Sequence, residues 1–195
     1  SSLALVAALF AGSSPLLSLA SQTFLGEPAL ILCSILSIHH LVRWSDTVRT
    51  RDYVVSMVFT SLAALLKLTA LYIGLPILVL FIMKYGRGIV KQKLFWLFGV
   101  LSLLPVVLWY FHAHSLYVES GNTFGILSGG YNKFARVELL LSADFYVLMA
   151  KRILLSVSTP IVVFLFGYGL FQRPAKQAAY VLQAWVAGLV VYTLL

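Results

Sequence analysis

The sequence predicts an all-α fold: a polytopic transmembrane bundle of about seven membrane helices, including a short-helix pair, plus one interfacial helix. Three observations predict it. Of 195 residues, 61% are apolar and only 10% charged, where a soluble domain runs nearer half and a quarter. The apolar residues fall in runs of the length that crosses a ~30 Å hydrocarbon layer as a helix of about 20 residues. Almost nothing is left over between those runs. A soluble enzyme, a disordered tail and a disulfide-stapled secreted domain are excluded. The single Cys33 leaves no intrachain disulfide and no Cys-based metal site.

Each element follows in order. The first span covers about Leu3 to Ala20, with Ser13-Ser14-Pro15 as a kink. A polar step, Ser21 to Pro28, leads into span two, about Ala29 to Val42. Pro28 suits a first helical turn, whose N–H has no intrahelical partner anyway. The stretch Tyr53 to Met83 is interrupted only by Lys67. As one helix it would run about 46 Å, well beyond the bilayer core. It would also put the basic loops 43–52 and 84–93 on opposite faces, against the positive-inside rule. A turn near Lys67 to Thr69, falling between Leu66 and Ala70, resolves both conflicts. Two short helices then line a cavity, because non-helical backbone at that depth survives only beside protein or a wet cavity.

The next span, Leu94 to Phe111, carries Pro105 as a kink, and a polar stretch from His112 to Glu138 follows it. Leu139 to Ala150 reads as an interfacial helix ending at Lys151-Arg152, so an external loop occupies about 112–150. Further spans are expected at about Ile153 to Phe171 and Ala178 to Leu195. No internal repeat or linker appears, and residues 1–195 read as a single transmembrane domain.

Charge tests this layout. Loops 43–52, 84–93 and 172–177 hold Arg43, Arg49, Arg51, Lys84, Arg87, Lys91, Lys93, Arg173 and Lys176 against the acids Asp46 and Asp52. Glu27, Glu119, Glu138 and Asp144 fall on the opposite face. The formal net charge of +8 therefore marks cytoplasmic loops rather than a nucleic-acid partner. The chain reads as an integral protein of a bacterial inner membrane, with those three loops cytoplasmic.

Four features could carry chemistry. Lys67 is costly inside a span and either faces a partner or water, or snorkels. Glu27 opens a helix from the external side, where a carboxylate favours the positive dipole end, and a Glu27–Lys67 pair is compatible with the topology. His112 and His114 follow Trp109-Tyr110 at the external end of a span. They could anchor to headgroups, contact substrate or ligate a metal, although on a helix they point about 200° apart. Arg152 could hold a phosphate as a planar fork or simply flank the membrane. His39 and His40 read as membrane-flanking. No phosphate-binding glycine loop, His-Glu-x-x-His or nucleophile elbow is present.

In this order the features resemble the GT-C superfamily of membrane glycosyltransferases, of the protein O-mannosyltransferase and aminoarabinose-transferase type. The matching stretches are Ser14-Pro15-Leu16, Thr23-Phe24-Leu25-Gly26-Glu27-Pro28, Leu65-Leu66-Lys67-Leu68-Thr69 with Leu75-Pro76, Leu104-Pro105 through Trp109-Tyr110 into His112-Ala113-His114, and Phe145-Tyr146 with Arg152. The resemblance implies transfer of a sugar from a polyprenyl-phosphate carrier to a protein or lipid acceptor on the external or luminal face. It implies that these residues are the middle of a longer enzyme, with the main catalytic Asp in a first external loop ahead of Ser1. Glu27 then matches the second acidic position, near the acceptor or near a divalent metal if one is used. Lys67 falls in the cavity wall and Arg152 at a phosphate site. His112, His114 and Glu119 belong to the loop that covers the donor. The rival reading is a non-catalytic membrane scaffold or accessory subunit that packs against protein partners in a larger complex. An enzyme would gather Glu27, Lys67 and Arg152 on one external-facing cavity; a scaffold would scatter them.

Overall fold

The computed structural model describes residues 26–121, 142–152, 167–168 and 177–194. Among these the chain is almost wholly helical, without a strand. In order come α1 (Glu27–Thr47), α2 (Thr50–Leu66), a 3-10 segment (Leu68–Ile73), α3 (Gly74–Tyr85), a second 3-10 segment (Gly86–Lys91), α4 (Lys93–Ser120), α5 (Ala143–Arg152) and α6 (Gln177–Leu194). Two compact units result: Ser1–Pro28 with Ala135–Ala175, and Ala29–Phe134 with Lys176–Leu195. The expected first span lies outside the described residues, as do nearly all of the span at 153–171 and of the loop at 172–177.

In the larger unit, side-chain hydrogen bonds fix the relative directions of α1, α2 and α4. Ser56 Oγ donates to Ser37 O (2.8 Å), the Ser37 and Thr60 hydroxyls lie 2.6 Å apart, and His40 meets Asp52, so α1 and α2 run antiparallel. Tyr53 Oη donates to Leu94 O and Ser61 Oγ to Ser102 O, each at 2.6 Å. Both pairs are 41 residues apart, so α2 and α4 run parallel in constant register. Lys84 Nζ, at the end of α3, donates to Ser45 O at 2.8 Å near the end of α1 and lies 4.4 Å from the Trp44 ring centroid. The two basic connections therefore sit at the same end of this unit, as the positive-inside argument requires.

The packing combines a hydrophobic core with buried hydroxyls and a largely apolar outer surface. Ser34, Ser37, Ser56, Thr60, Ser61 and Ser102 are buried between helices, while Leu62, Leu97, Val100, Leu104 and Leu108 face outward. Small hydroxyl residues let helix backbones approach closely and hydrogen-bond across, the mode used where lipid solvates the outer surface. Two helical stretches among the described residues, Leu68–Lys91 and Lys93–Ser120, are long and apolar enough to cross a membrane. At the basic end the core is aromatic. Trp44 packs on Tyr53 (centroids 5.1 Å apart) and Phe81 (5.4 Å), and Phe81 packs on Phe95 (5.4 Å) and Phe98 (5.6 Å). One backbone position there is strained. Val48, with φ of 56°, ends α1 in the left-handed region, which a β-branched residue rarely enters.

The break expected between Leu66 and Ala70 is present. Lys67 is extended (φ −160°, ψ 124°) between α2 and the first 3-10 segment. Two expectations need correction. The helix starting near Leu94 continues past Phe111 to Ser120, so His112, His114 and Glu119 are helical and the loop reading fails for residues 112–120. No helix breaker intervenes before Gly121, which adopts φ of 71° and donates its N–H to Tyr117 O. Such a left-handed glycine is the usual helix stop. The short helix expected over Leu139 to Ala150 is observed instead as Ala143–Arg152.

Candidate functional site

The break at Lys67 is stabilised by its own backbone. The Lys67 N–H donates to Ala63 O at 3.1 Å, closing α2, and Lys67 O accepts from the Ala70 N–H at 2.9 Å, opening the next segment. The Lys67 side chain is exposed. Behind the break lies a cavity of about 130 Å³, walled by Thr60 and Ala64 of α2, Ala70 and Gly74 beyond the break, and Phe98 and Ser102 of α4. Its lining is apolar apart from hydroxyls. Thr60 is satisfied by Ser37 and the Ser56 carbonyl, whereas Ser102 Oγ is buried with no hydrogen-bond partner among the described residues. A short-helix pair with a cavity beside it is thus present in the larger unit.

The register of α2 against α4 sets Lys67 level with Leu108 and about one turn short of His112. His112 and His114 are both exposed and flank the buried Ala113, so α4 turns them to either side of its packed face. His112 lies 6.0 Å from the Trp109 ring and His114 lies 6.5 Å from Tyr117. Glu119 is exposed in the last turn of the same helix. Among the described residues no three His, Cys, Asp or Glu side chains gather as metal ligands would. In the smaller unit, Glu27 is half-buried in the first turn of α1 and Arg152 is the last residue of α5.

A family model described as dolichyl-phosphate-mannose-protein mannosyltransferase matches residues 1–111, more than half of the chain. The chain belongs to this family. Membership makes it an integral membrane glycosyltransferase relative of the GT-C type, as the order of its motifs implied. No curated protein and no solved structure matches the chain. The mannosyltransferase family match includes Glu27, the break at Lys67 and every wall of the cavity formed by residues 60–103. It ends just before His112, so His112, His114, Glu119 and Arg152 lie beyond it.

The family match also includes a polar group that sequence reasoning missed. His40 Nδ1 lies 2.7 Å from Asp52 Oδ1, with Arg43 Nε at 3.8 Å from the same oxygen. His40 had read as membrane-flanking and Asp52 as a loop acid. Their pairing shows only once α1 and α2 fold back on each other across Val48 and Arg49. The hydrogen bond with His40 is the main cause that holds the Asp52 carboxyl below its ordinary range; Arg43 adds to it and burial opposes it. A carboxyl depressed by folding contributes stability that is present above its unfolded pKa and lost as pH falls through the folded value. The thermal midpoint of the purified protein in detergent should therefore fall as pH drops below the unfolded aspartate value of about 3.9. Asp52→Asn should lower the midpoint at neutral pH and shrink that acid-side decline. An unchanged acid-side decline in Asp52→Asn would remove the clasp from the stability balance.

Proposed function

We propose that the chain is part of an enzyme that transfers a sugar from a polyprenyl-phosphate carrier to a hydroxyl of a protein or lipid acceptor at the external or luminal membrane face. Membership of the mannosyltransferase family over residues 1–111 is the observation that carries this reading. The helix break at Lys67 and the adjoining cavity support it, because an amphipathic donor needs protein-lined space within the bilayer. In the proposed reaction the acceptor oxygen attacks the anomeric carbon as its proton passes to a carboxylate. The bond from that carbon to the phosphate oxygen breaks, and polyprenyl phosphate leaves with the electron pair. Glu27 serves as a carboxylate at the acceptor hydroxyl. Within the larger unit Lys67 serves as a cation for the donor, and His112, His114 and Glu119 as its cover; Arg152, in the smaller unit, is a separate candidate phosphate contact.

Membranes carrying the intact protein, supplied with labelled polyprenyl-phosphate mannose, should give labelled product at a rate well above membranes lacking it. A folded protein with no transfer to protein or lipid acceptors would favour the scaffold reading.

The face is tested separately by cysteine labelling in a Cys33→Ser background. A cysteine at Gly88 should react with an impermeant thiol reagent only from the cytoplasmic side, and one at Ser128, which lies outside the described residues, only from the other side. Reversed labelling would overturn the assignment of face and the proposed site with it.

A further inference from the structure

We propose that the basic end of the larger unit is a binding surface for anionic phospholipid headgroups, centred on the segment Gly86–Lys91 and the first turns of α4. Arg87, Lys91 and Lys93 are exposed there, and residues 84–93 contain no acid. Among the described residues no carboxylate lies within ion-pair distance of any of the three; the two ion pairs found, His40–Asp52 and Arg43–Asp52, both consume Asp52. The bonds from Lys84 to the end of α1 bring the first basic connection to the same end, adding exposed Arg49 and Arg51. Asp46 is the one exposed acid of that connection. Five cations therefore face outward, with Asp46 exposed beside them and the buried Asp52 near Arg49.

The surface is not merely charged. Val90 and Trp96 are 64% and 56% exposed among those cations. Trp96 Nε1 donates to Val90 O at 2.8 Å, which holds the two together, while buried Ile89 anchors the segment to the core. An indole and an isopropyl group at the level of lysine and arginine side chains match the headgroup boundary. There apolar groups reach the acyl chains and cations meet phosphate. A free phosphate would use the cations and gain nothing from Val90 or Trp96. Each cation at an anionic surface adds roughly fivefold to partitioning, so several acting together select strongly against zwitterionic lipid. This inference is independent of the transfer reaction.

The test is lipid retention by the intact protein, purified with an equal mixture of phosphatidylglycerol and phosphatidylcholine and read by native mass spectrometry. Phosphatidylglycerol should be retained at least about fivefold over phosphatidylcholine. High salt should reduce that preference. R87Q/K91Q/K93Q should reduce it severalfold, the remainder resting on Arg49 and Arg51, and Trp96→Ser should weaken retention of both lipids; circular dichroism checks that each variant is folded. Equal retention of the two lipids by the unaltered protein, or an undiminished preference in the folded triple variant, would overturn the proposal. Displacement of phosphatidylglycerol by millimolar inorganic phosphate would also overturn it, in favour of a simple anion site.

Discussion

Glu27→Gln lowers sugar transfer by at least about 100-fold, the low end for loss of a general acid–base group and about 2.7 kcal/mol of transition-state stabilisation. The substitution keeps the size and hydrogen-bonding reach of the side chain and removes only its capacity to accept a proton as a carboxylate. Glu27 sits in the first turn of α1 and is half-buried, a position where the helix dipole favours the ionised form. Losing that interaction costs well under the margin that would unfold the chain, typically 0.3–1 kcal/mol. Initial rates with saturating donor, compared with the thermal midpoint of the same preparation, separate the two effects. Near-normal transfer by folded Glu27→Gln removes Glu27 from the site while leaving the family assignment intact.

Gly188→Ala destabilises the larger unit by about 1–3 kcal/mol, the usual cost of overpacking a tight contact. A Cβ built at Gly188 would lie 2.6 Å from the carbonyl oxygen of Tyr72. That oxygen belongs to backbone in the 3-10 segment Leu68–Ile73, so no side-chain rotation relieves the clash and α6 must move off the segment. Leu71 and Ile73 of the same segment line the cavity, so the displacement should lower transfer along with stability. Gly99→Ala is the control: nothing lies within 4 Å of its added Cβ, and an ordinary helix interior gains roughly 0.5–1 kcal/mol from that change. Thermal midpoints in one detergent check both. An unshifted midpoint for Gly188→Ala would show that the α6 contact is not tight.

The helix break illustrates what was legible. A run from Tyr53 to Met83 too long for a bilayer, with basic loops at both ends, demands a reversal, and Lys67 is the charged residue at its middle. The end of α4 differs from the sequence expectation for the converse reason. Hydropathy falls after Phe111, yet His112 to Ser120 contains neither Gly nor Pro, and the helix stops only where Gly121 can take a positive φ. Polarity tells where lipid ends, whereas backbone chemistry tells where a helix ends. The two do not coincide in α4.

Residue types and their order alone determined the all-helical membrane class, the family resemblance and the position of the break, because lipid imposes length, apolarity and charge rules that read out linearly. Only the tertiary structure decided which groups meet. His40 finds Asp52, Lys84 bonds carbonyls at the end of α1, and Gly188 lets α6 approach Tyr72. Each partnership depends on the rotation and register of one helix against another. Those are fixed by the buried serines, threonines and aromatics acting together, and no local stretch of sequence carries that sum.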